Sequence, residues 1–190
     1  MFTRVKEILT APKKEWAVIE GENTPHAKLF IGYVLPLSLI PAVAAFIGYG
    51  LLGYSAFGVH IHSMSWGIRQ AVVQWITMTG GIYLTAFVVN FLAENFGAKK
   101  DFDRAFSLVA YSYTPMLVGG IFHILPSLSI LASLAGLYGL YILYIGMQPM
   151  MKAPADKNTV YFVVSLIATI VVTAVVSAVM GAILLSSHLF

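Results

Sequence analysis

Residues 99–115 read KKDFDRAFSLVAYSYTP. Lys99, Lys100, Asp101, Asp103 and Arg104 form a short charged island between two long runs without Asp, Glu, Lys or Arg. Such an island cannot sit in hydrocarbon, so it predicts a loop at a membrane surface. Its two acids precede an apolar run and are placed to cap, and charge-match, the positive end of a new helix. That helix then carries Tyr111, Ser112, Tyr113, Thr114 and Pro115, a polar and kink-prone patch expected to be a shared packing core.

The composition agrees. Of 190 residues, 59% are hydrophobic and only 10% charged, and the mean hydropathy is +0.85. Soluble domains carry about 25% charged residues, so this is an all-α, polytopic membrane protein. The pI near 9.1 does not point to nucleic acid, because the basic residues flank apolar runs in the pattern of topology signals and anionic-lipid contacts. Cysteine is absent, which removes disulfides, thiol catalysis and zinc–cysteine sites. The first apolar run begins near Leu29, so no signal peptide is expected.

Working outward, residues 1–28 are expected as an N-terminal interfacial segment and 29–190 as a transmembrane domain. Phe2, Val5, Ile8 and Leu9 recur at helical spacing opposite Arg4, Lys6 and Glu7, predicting a short amphipathic helix in the interface. Beyond Pro12, Trp16, Val18 and Ile19 suggest a second short segment at headgroup depth, and Thr24-Pro25 is a helix start. Five spans follow, at about 29–52, 68–93, 105–124, 127–148 and 159–185. Pro36 and Pro41 should bend the first. His123 to Pro126 leaves room only for a turn, making the third and fourth spans a hairpin.

Ten of the eleven Lys and Arg residues fall on one side of this arrangement: Arg4, Lys6, Lys13, Lys14, Lys28, Lys99, Lys100, Arg104, Lys152 and Lys157, against Arg69 alone. All eight acids share that side. The positive-inside rule makes it cytoplasmic, so the N-terminus is inside and the C-terminus is periplasmic or extracellular, as in an inner (plasma) membrane. Small residues at four-residue spacing predict close packing: Gln74, Thr77, Gly81 and Thr85; Ala132 and Gly136; Ala174, Ala178 and Ala182. The last set invites a homo-oligomer.

Two stretches resemble a known family. AYSYTP, with Ala110, Tyr111, Thr114 and Pro115, is similar to the start of the third membrane helix in the Yip-domain family. Residues 140–161, LYILYIGMQPMMKAPADKNTVY, resemble its second hallmark through Tyr141, Gly146, Pro149, Met151, Pro154, Lys157 and Tyr161. Pro12, Trp16 and Ile19, with Pro36 and Pro41, fit its bacterial branch. The resemblance implies a five-span membrane protein with a cytoplasmic N-terminus. Eukaryotic members are similar to adaptors for prenylated Rab/Ypt-type GTPases in vesicle traffic, but their long N-terminal region has no counterpart in these residues.

Chemistry-bearing residues are few. His60 and His62, in an outer connection, are placed on one side of an extended segment and form a candidate metal pair. Tyr111, Ser112, Thr114 and Pro115 are either the lining of a polar path or a buried kink packed on Gln74 and Thr77. Tyr141, Tyr144 and Gln148 make an interfacial stripe. Glu94 and the 99–104 island are candidate contacts for a partner protein or a lipid head group. No catalytic constellation, phosphate loop or cofactor motif is present in the sequence, so no enzyme is expected. No span carries a buried ionisable group of its own, which weighs against coupled transport. The expected function is that of a membrane scaffold or adaptor binding proteins or lipids at its cytoplasmic face. The alternative is a small channel or transporter for a neutral or metal solute.

Overall fold

The computed structural model describes residues 1–186 apart from 57–58, 62 and 126–127. Five helices are long and apolar enough to cross a membrane: His26–Leu52, Met64–Phe96, Phe102–Ile124, Ile130–Met151 and Asn158–Val176. These are the first to fifth spans. The fifth helix continues to Ser186. Two short helices, α1 (Phe2–Thr10) and α2 (Pro12–Glu20), precede them. Strands β1 (Tyr54–Ala56) and β2 (Val59–Ile61) pair antiparallel between the first two spans, with Ser55 opposite His60. The sequence raised extended backbone at His60, but not its pairing into a ribbon.

Local chemistry sets the ends. The Asp101 side chain accepts from the Arg104 backbone N–H at 3.2 Å, the cap expected from the charged island. Ser63 does the same for Trp66 at the start of the second span. The second span closes into Gly97, at φ 71°, and the fourth into Lys152, at φ 55°. Glycine takes that left-handed conformation without cost, whereas lysine must be held in it. In the first span a wider π-helical turn over Phe30–Val34 runs into Pro36, the usual way a helix absorbs a missing N–H. The third span breaks at Tyr113, restarting over Thr114–Gly119 with Pro115 in its first turn.

The third span is the hub. It is 72% buried over its most apolar stretch, against 11% for the fifth. Ala105, Phe106, Leu108, Val109 and Leu117 are sealed within it. Backbones close up at glycines, but not at those of the expected stripes. Gly50 meets Gly67, Gly139 meets the Ser112 carbonyl and Gly119 meets Ala135, whereas Gly81 and Gly136 face open space. Spacing alone cannot say which face of a helix meets a neighbour.

The N-terminal pair forms the expected short helices but is seated more firmly on the bundle than their pattern announces. Ile8, Trp16 and Ile19 are buried in the main core, so part of the apolar face expected at the interface lies against protein. Tyr138 donates its hydroxyl to the Leu9 carbonyl at 2.9 Å. Tyr138 is thirteen residues, ~20 Å of helix, from Met151 at the end of the fourth span. The turn between α1 and α2 therefore reaches well into the bundle, while Phe2 and Val18 stay exposed.

Candidate functional site

Charged segments distant in sequence converge on one end of the bundle. The Lys99 N–H donates to the Met151 carbonyl at 2.7 Å, tying the loop after the second span to the end of the fourth. Lys152 pairs with Glu20 of α2. Arg104 reaches the Glu20 carbonyl at 3.4 Å and Asp101 at 3.7 Å. His26 gives its backbone N–H to Asp103 at 2.8 Å and sets its ring nitrogen 2.6 Å from the same oxygen. Lys100 pairs with Glu94 and Lys99 with Asp101. All six candidate contact residues of the island and its flank are thus at this end, and they are largely paired with one another. Exposed pairs of this kind contribute about 0–1 kcal/mol each, so they organise a surface more than they stabilise it.

Deeper in, α1 and α2 build a second layer that hydropathy did not reveal. Arg4 pairs with Glu15 and, at 2.5 Å, with Glu22. Its guanidinium lies 5.7 Å from the centroid of the Tyr111 ring. The Arg4 and Glu15 side chains are only 20% and 12% exposed. Burial works against the Arg4 charge, but the Glu22 hydrogen bond and the surrounding fields outweigh it, leaving the guanidinium above its ordinary value. Tyr111 is nine residues, ~13 Å, into the third span from Phe102. Within the spans, Arg104 is comparably covered, at 18% side-chain exposure, but it sits in the first turn of the third span, at the charged end. The N-terminal pair brings a charge further in, to the depth of Tyr111.

Around Tyr111 the polar patch is satisfied internally. Its ring meets Trp16 edge-on at 6.3 Å and Tyr33 at 4.9 Å. The Tyr33 hydroxyl lies 2.8 Å from Thr114 Oγ1, that of Tyr113 lies 3.1 Å from Thr85 Oγ1, and Ser112 donates to the Leu108 carbonyl at 2.7 Å. The kink is a packed one, as one of the two alternatives had it. Its partners are Tyr33, Thr85 and Trp16 rather than Gln74 and Thr77.

The residues quoted for the resemblance acquire physical roles. A Cβ on Gly146 would overlap the Trp16 indole, so glycine there makes the slot for it. Pro154 packs on Gly97. The buried Tyr161 hydroxyl donates to the Val89 carbonyl at 2.5 Å and its ring stacks on Phe96. Pro149 sits inside the fourth span, and Tyr141 is exposed, stacked on Tyr138. Tyr111 and Gly146 thus flank one indole. Arg4, Glu15 and Glu22 were missed as a cluster; the only sequence signal was the amphipathic face of α1.

His60 lies in β2, in the extended backbone assumed for the metal pair, while His62 lies outside the described residues. Among the described residues, no group of three or more His, Cys, Asp or Glu is placed to hold a metal ion. His123 sets its Nδ1 2.9 Å from the Gly120 carbonyl at the opposite end of the bundle.

A family model described as the Yip1 domain matches residues 6–178. The chain is 25% identical over 127 residues to the "Inner membrane protein YohC" of Escherichia coli strain K12, and to its counterpart in strain O6:H1. The match covers 66% of this chain and 65% of each relative, so the chain spans just under two thirds of the length of these curated relatives. No solved structure matches it.

Proposed function

The chain belongs to the Yip1 domain family, and from that premise we propose that it is a multi-pass inner-membrane scaffold that docks protein or lipid partners on its charged, cytoplasmic end. The single observation that carries this reading is the convergence on one end of α2, the 97–101 loop and the 152–157 loop, held by the Lys99–Met151 hydrogen bond and the Lys152–Glu20 pair. Three segments that touch one another make one surface rather than three loops. The N-terminal pair gives that surface a rigid floor, because Trp16 and Ile19 are anchored in the core. Placing this end in the cytoplasm rests on the positive-inside rule; the inner membrane is suggested by the printed name of the E. coli relatives.

The test is photo-crosslinking in cells. A crosslinking side chain at Lys100 or Asp156 should capture a reproducible neighbour, identified by mass spectrometry, while one at Ser65 on the other end should not. Absence of any reproducible neighbour at both charged-end positions would count against the scaffold.

A further inference from the structure

Where α2 meets the fourth and fifth spans, a cavity of about 340 Å³ opens at the charged end, lined among others by Lys13, Trp16, Glu20, Tyr144, Gln148 and Asn158. We propose that it binds the head group of a phospholipid bearing a primary ammonium, a phosphoethanolamine.

Two chemistries meet in this one cavity. On one side are acceptors in need of a donor. Asn158 is only 8% exposed, and its Oδ1 has no hydrogen-bond partner among the described residues. A buried acceptor left alone costs more than a made hydrogen bond returns, so the position asks for a ligand N–H or O–H. Pro149 adds to this side, since it has no N–H to give the carbonyl of Ile145, and both residues line the cavity. Glu20 presents a carboxylate of which one oxygen engages Lys152. On the other side are donors: the Lys13 ammonium and the Gln148 amide. An ammonium carries three donors and one positive charge for the first set, and a phosphate diester offers oxygens to the second. A trimethylammonium has no N–H to give Asn158. A glycerol head group brings hydroxyls but no positive charge for Glu20.

The surroundings supply the rest of a lipid. Trp16 and Tyr144 wall the cavity, amphipathic rings of the kind found at headgroup depth. From it, Gln148, Tyr144, Tyr141, Leu137, Leu134 and Ile130 step back along one face of the fourth span in alternate fours and threes, and that face is exposed. It forms an apolar track for an acyl chain leading straight from the cavity.

This inference rests on the reading of the charged end as a docking surface and names a lipid for it, yet the two fail separately: lipid retention reads this inference, crosslinking the scaffold. The experiment uses the full chain purified in detergent and offered phosphatidylethanolamine, phosphatidylcholine and phosphatidylglycerol with identical acyl chains, read by native mass spectrometry. Phosphatidylethanolamine should be retained about tenfold over phosphatidylcholine, the weight of one charge-assisted hydrogen bond. Asn158→Leu should erase that preference, and Lys13→Gln should lower retention of all three lipids. Should Asn158→Leu not fold, Ala17→Phe fills the cavity from the exposed face of α2 and should displace the lipid. Equal retention of ethanolamine and choline lipids, or a preference that survives both Asn158→Leu and Ala17→Phe, overturns the proposal. So does displacement by inorganic phosphate as effective as by glycerophosphoethanolamine, which marks a bare anion site.

Discussion

The Nε1–H of Trp16 donates to the carbonyl of Ile142 at 3.1 Å, across 126 residues of sequence, and the indole fills the slot left by Gly146. One side chain thereby fixes α2 to the fourth span and sets the floor on which the charged end is built.

Filling that slot should release the N-terminal pair. Gly146→Ala places a methyl inside the indole, an overpacking that costs about 1–3 kcal/mol. The apparent melting temperature should fall, and protease should cut within residues 1–24 at concentrations that spare the parent protein. Unchanged protease resistance would refute the role given to Gly146.

Arg4 should matter more than a tail residue ordinarily does. Arg4→Ala strands Glu15, which is 88% buried by its side chain; a loss of about 2 kcal/mol is expected, below that of a fully buried pair because Glu22 is partly exposed. The double variant Arg4→Ala/Glu15→Ala should recover most of it. Strict additivity of the two changes in thermal unfolding would show that the pair is not coupled.

Tyr33 and Thr114 form a second measurable pair. Tyr33→Phe and Thr114→Ala each remove the same 2.8 Å hydrogen bond, so each should cost about 1 kcal/mol and the double variant little more than either. A thermal-unfolding cycle without coupling would contradict the contact.

Because cysteine is absent, single-cysteine labelling reports topology cleanly. Lys99→Cys and Asp156→Cys should both react with an impermeant maleimide only after the cytoplasmic face is opened, and Ser65→Cys only from the other side. Lys99 and Asp156 labelling from opposite sides would break the five-span arrangement.

The spans were legible because each obeys a rule local to its own twenty residues: apolar content, a cap such as Asp101, a break such as Pro115. The fold class and the gathering of Glu94, Lys99, Lys100, Asp101, Asp103 and Arg104 at one end follow from that. What was illegible depends on which surfaces meet. An amphipathic α1 satisfies lipid and a protein groove equally well by pattern, and it takes its seat through Ile8, sealed in the core, and the Tyr138–Leu9 hydrogen bond. Gly81 and Gly139 look alike in sequence, yet only the second touches a neighbouring backbone. Asn158 reads as an ordinary helix start until α2 is laid beside it and a cavity forms between them.

The seat of Trp16 also dictates an order of events in biosynthesis. The ribosome makes α1 and α2 first, but the surface that receives the indole is not complete until Gly146 has been translated and its span inserted. A pair of helices made before all five spans is therefore seated only after the fourth. Until then α2 has no seat, and the Arg4–Glu15 pair that it helps to hold against Tyr111 is not assembled.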